Sequence, residues 1–104
     1  MNQQNWNKLT YFEQLSNVDG EVVRMVRAHE RYLSGEAKED YGPFYLENAI
    51  KLIKMTLMDD KNAAKAYRAV ELYDEIDILR QYLNGDCSAE SVNSYWGEYT
   101  KAIS

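Results

Sequence analysis

The chain has 104 residues, 45% hydrophobic and 28% charged, with five glycines and a single proline. Those proportions exclude a disordered chain and a turn-rich β-domain, and leave room for one hydrophobic core. A net charge of −5 and a pI near 4.8 argue against direct contact with nucleic acid, whose phosphates call for Lys and Arg.

The first element is read over residues 5–34. Tyr11, Leu15, Val18, Val22, Met25, His29 and Tyr32 recur by alternating steps of four and three, the seam of a packed helix. Phe12, Val26 and Leu33 widen that stripe. A capping box at Thr10 and Glu13 offers an alternative start. Asp19-Gly20 is a weak point, since Gly costs about 1 kcal/mol against Ala in a helix interior, but the apolar phase continues across it. The expectation is one long helix with a possible kink there. At 1.5 Å per residue it would reach about 45 Å, leaving its Trp6 end overhanging the rest. Gly35 follows the last periodic residue as a stop.

Residues 35–42 read as a charged loop, and Pro43 suits a first helical turn because its missing N–H is not needed there. The second helix is expected from Pro43 to Met58, with Leu46, Ala49, Ile50, Ile53 and Leu57 inward. Glu47, Lys51 and Lys54 form its wet face. Asp60 or Asn62 is the expected next cap. The third helix is read from Ala63 to Leu83 on Ala69, Leu72, Ile76, Leu79 and Leu83, and ends at Gly85. Ser88 caps an expected fourth helix to Ile103, whose stripe is Val92, Tyr95, Trp96, Tyr99 and Ile103. Short loops between amphipathic helices point to an all-α fold, an antiparallel up-down bundle of four helices in one domain over residues 1–104.

The single cysteine, Cys87, cannot form an internal disulfide. The polar N-terminal stretch has no signal-peptide pattern, and no apolar run approaches the roughly 20 residues that span a bilayer. The expected setting is the cytoplasm, with no membrane contact.

Three sets of residues could carry function. Arg24 and His29 are separated by four residues, the spacing of the ribonuclease motif of the HEPN family of all-α domains, which they resemble over six residues. That resemblance implies ribonuclease chemistry. The residues alone make His29 a seam position with one hydrogen bond. Glu71, Asp74 and Glu75 share a helical face, as do the magnesium-holding glutamates of all-α nucleotide pyrophosphohydrolases. This resemblance implies a small magnesium-dependent hydrolase, although the second helix offers only Glu47 as a facing acid. No Cys/His metal set, cofactor motif or glycine-rich phosphate loop is present.

The third set is aromatic. Nine tyrosines and two tryptophans are many for this length. Tyr67, Glu71, Asp74, Ile78 and Tyr82 follow steps of four, three, four and four, on a face opposite Ala69, Leu72, Ile76 and Leu79. Tyrosine brings contact area with a polar tip, and is enriched where proteins dock. The stripe therefore reads as a docking face for a protein partner or for self-association, with a homo-oligomer suggested by the overhang. The favoured expectation is a non-enzymatic interaction module, such as an adaptor, antitoxin, immunity protein or phage-type inhibitor. Tyr41-Gly42-Pro43-Phe44-Tyr45 is a second aromatic patch.

Overall fold

The structure is a computed structural model and describes residues 2–92. Every regular element among them is a helix: α1 (Gln3–Asn7), α2 (Tyr11–Leu33), α3 (Gly42–Leu57), α4 (Asp60–Ala63) and α5 (Ala66–Leu83). A further helical turn covers residues 89–92. Ser88 Oγ accepts a hydrogen bond from the Ser91 amide there, as an N-cap does. The remainder of the expected fourth helix, including Tyr95, Trp96, Tyr99 and Ile103, lies outside the described residues.

The expected helix over residues 5–34 is two helices. Thr10 caps α2 in a full capping box, its hydroxyl accepting from Glu13 N while Glu13 accepts from Thr10 N. The chain turns at Lys8-Leu9, so α1 folds back instead of extending α2. Trp6 is 1% exposed, and its Nε1 donates to Thr56 Oγ1 at 3.1 Å near the end of α3. There is no overhang, because the indole gains more by burial beside a hydroxyl than by extending into water. The helix continues through Asp19 and Gly20 without interruption.

The other boundaries lie close to their expected positions. Pro43 stands in the first turn of α3. Tyr41 is the N-cap residue and makes no side-chain cap bond; Asp40 before it accepts from Gly42 N through Oδ1 and from His29 Nδ1 through Oδ2 at 2.7 Å. One carboxylate thereby closes the loop onto α2. Gly35 and Gly85 follow α2 and α5 at φ +84°, the left-handed conformation that ends a helix cheaply only at glycine. The expected third helix is also divided. Asp59 caps the short α4 by accepting from Lys61 N, and a turn at Ala64-Lys65 precedes α5.

Side-chain contacts give the helix directions. The Arg68 guanidinium lies 4.0 Å over the Tyr11 ring, while Tyr82 OH donates to Val26 O at 3.5 Å. So α5 runs the same way as α2. Between them in sequence, α3 runs the opposite way: Gly42 sits against Leu83 and His29, and Thr56 sits against Trp6. The core comprises Leu15, Val18, Val22, Met25 and Val26 of α2, Ala49 and Ile53 of α3, and Leu72, Ile76, Leu79 and Tyr82 of α5, with Trp6 and Val92 at its margins.

A buried polar knot ties one end of the molecule together. Gln14 is fully buried; its Nε2 donates to Trp6 O and to Asp59 Oδ2, and its Oε1 accepts from Asn62 Nδ2. Asn62 also donates to Thr56 O and accepts from Arg68 Nη1. Five elements meet at these side chains, and the amides of Gln14 and Asn62 find partners where backbone directions diverge, while Arg68 Nε is buried without a partner among the described residues.

Candidate functional site

The stripe on α5 is not uniformly outward. Tyr67 is 62% exposed and Asp74 is exposed, whereas Glu71 and Ile78 are half-buried. Tyr82 is buried, its ring edge-on to His29 with centroids 5.1 Å apart. Running beside α2, α5 turns its Glu71–Glu75–Ile78–Tyr82 flank inward. Its outward side carries Tyr67, Val70, Tyr73, Asp74 and Asp77. Val70 and Tyr73, read in the sequence neither as core nor as docking residues, are 63% and 60% exposed. Three large side chains on successive turns, bordered by two carboxylates, make an exposed apolar–acidic ridge. An exposed apolar cluster is informative where a lone exposed residue is not.

The acid cluster contains one unusual group. Glu75 is 5% exposed, and its Oε2 is buried without a hydrogen-bond partner among the described residues. Burial, then the charges of Glu71 and Asp74, push its pKa up to about 7. Asp19 on α2 is likewise buried, and desolvation lifts it to about 6. Among the described residues, no three His, Cys, Asp or Glu side chains are grouped so as to hold a metal ion.

Arg24 and His29 are engaged separately. Arg24 is exposed and pairs with Glu21 at 3.1 Å; His29 is buried and faces Asp40 and Tyr82. Cys87 is half-buried, with its Sγ 3.6 Å from Ile78 O. In the second aromatic patch, Tyr41 and Phe44 are exposed, and Phe44 packs edge-on to Tyr45 at 5.2 Å.

Beside the outward ridge of α5 lies a groove of about 460 Å³. Ile50, Met55 and Met58 provide its apolar lining, and Glu47, Lys51, Lys54 and Arg80 its charges. Read helix by helix, these cations belong to separate wet faces, and only the packing of α3 on α5 brings them together. Among the described residues, no helix is long and apolar enough to cross a membrane. No family model, curated protein or solved structure matches the chain.

Proposed function

We propose that this protein is a non-enzymatic interaction module that docks a protein partner, another copy of itself included, through the outward side of α5. The observation that carries this reading is the consecutive exposure of Tyr67, Val70 and Tyr73 with Asp74 and Asp77 alongside. Tyrosine and an aliphatic side chain anchor contacts by excluding water, while the flanking acids select a basic or mixed-charge surface. Glu71 and Ile78, half-buried, border the contact; Tyr82 holds the helix in place from beneath.

A fourth long helix starting after Ser88 and completing an antiparallel bundle is part of the proposal, supported by the cap at Ser88 and the buried Val92. A cytoplasmic setting is also part of it, supported by the lone half-buried thiol. The adaptor and inhibitor roles both need only this face.

The test is photo-crosslinking in cells with a benzophenone amino acid at Tyr67 or Tyr73, and at exposed Asn17 on α2 as the control. The expected result is discrete adducts from the two α5 positions and none from Asn17. Equal labelling from all three positions would remove the basis for a docking face on α5.

A further inference from the structure

Four cations from separate parts of an acidic chain are gathered into one groove. Lys8, Lys61, Lys65 and Arg68 line a space of about 500 Å³, with Tyr11 and Phe12 in the same wall. The turn that folds α1 back brings Lys8 to this place, where Lys61 Nζ donates to the neighbouring Asn7 O at 3.1 Å. Among the described residues, no Asp or Glu lines the groove, whereas the α3–α5 groove sets Glu47 among its cations. Lys61 is paired with Asp59, but Lys8, Lys65 and Arg68 belong to no salt bridge among the described residues.

The cations are also organised. Arg68 Nη1 donates to Asn62 Oδ1 at 2.8 Å, and its guanidinium lies over the Tyr11 ring, which together fix its position. Lys65 is the N-cap residue of α5 and makes no side-chain cap bond, so the first amides of that helix gain no acceptor from it. Tyr11 is the first residue of α2. The positive ends of two long helix dipoles therefore meet the groove and add to the side-chain charges.

We propose that this groove binds a small phosphorylated ligand carrying a flat ring, of the nucleoside diphosphate class. A diphosphate concentrates several negative charges on two adjacent groups, and so calls for several cations with no carboxylate among them. Lys8 and Lys65 hold the phosphates as mobile point charges, and Arg68 as a fixed fork. Phe12, 57% exposed in the same wall, offers a ring on which a base stacks. The volume lies within the range of small-molecule sites. Tyr67, Val70 and Tyr73 do not line this groove, so the inference goes beyond the docking role of α5 and does not depend on it.

The test is isothermal titration calorimetry of the intact chain with adenosine diphosphate and with inorganic pyrophosphate, in buffer without divalent cations. Lys8, Phe12 and Lys65 are exposed, and circular dichroism confirms that each variant is folded. Both probes are expected to bind, the nucleotide at least about fivefold more tightly because it alone has a ring. Lys8→Ala/Lys65→Ala is expected to weaken both probes at least about tenfold. Phe12→Ala is expected to weaken the nucleotide about fivefold and to leave pyrophosphate unchanged. Lys38→Ala/Lys51→Ala removes the same charge outside the groove, and is expected to bind both probes as the unaltered chain does.

No saturable binding of either probe up to about 1 mM overturns the proposal. An equal loss in the two lysine variants also overturns it, because net charge and not the groove would then hold the anion. Pyrophosphate bound as tightly as the nucleotide, or a Phe12→Ala variant that binds the nucleotide normally, overturns the assignment to a ring-bearing ligand.

Discussion

Two buried carboxylates should make this protein more stable in mild acid than in mild base. Glu75 is carried from 4.5 to about 7, first by burial and then by Glu71 and Asp74; Asp19 is carried from 3.8 to about 6 by burial. In the window between the unfolded and folded values, the folded chain holds more protons than the unfolded chain. Stability is therefore highest near the lower values and falls as pH rises through the folded ones. Asp59 acts in the opposite sense. Burial works to raise it, but hydrogen bonds from Lys61 and Gln14 outweigh that and hold it below 3.8. Its contribution is lost only at lower pH, which leaves Glu75 and Asp19 to govern the range from about 4 to 7.

At about 1.4 kcal/mol per pH unit, the penalty above the folded pKa has an upper bound of about 3.5 kcal/mol for Glu75 and about 3 kcal/mol for Asp19. Relaxation and water access bring the expected size to about 1–2 kcal/mol each. Glu75→Gln, which keeps the shape without the charge, should raise stability by about 1 kcal/mol near pH 8 after the cost of an unpaired amide. It should change little near pH 4. The double variant with Asp19→Asn should flatten the profile. Urea denaturation followed by circular dichroism across this pH range measures the effect. An unchanged pH profile in the double variant would refute the reasoning.

Gln14→Ala removes two donated bonds and one accepted bond from the buried knot. Trp6 O, Asp59 and Asn62 each keep another partner, so the expected loss is about 2–4 kcal/mol, read as a lower urea midpoint at unchanged slope. Gly42→Ala places a Cβ 2.8 Å from Asp40 Oδ1 and 2.9 Å from Leu83 Cδ2. The expected cost is about 1–3 kcal/mol, from displacing Asp40 and overpacking α3 against α5, and thermal denaturation would show it.

The sequence displays helix phase and punctuation clearly, and these account for α2, α3 and α5 with their stops at Gly35 and Gly85. The break before α2 was harder to read. The capping box at Thr10 and Glu13 marked it, but nothing local shows that the preceding residues fold back instead of extending the helix. What decides is long-range: Trp6 meets Thr56, and Gln14 caps the carbonyl of Trp6. The division at Ala64-Lys65 has the same origin, since Asn62 turns into the knot. On α5, periodicity marks Leu72, Ile76 and Leu79 as inward but cannot say what covers the two flanks. Alignment beside α2 turns Glu75 and Tyr82 in and leaves Val70 and Tyr73 out. The cationic groove was hidden for a related reason: Lys51, Lys54 and Arg80 come from two helices, and a one-dimensional reading sees only two solvated faces.

The central claim, that the outward side of α5 works as a covered contact surface, is tested most directly by hydroxyl-radical footprinting. Met58, Tyr67 and Tyr73 would be read by mass spectrometry in cells and in purified, highly diluted protein, with exposed Phe44 as the internal reference. The expected result is protection of the three residues in cells, lost on dilution, with Phe44 labelled alike in both. Equal labelling of Tyr67 and Tyr73 in the two settings would contradict the claim.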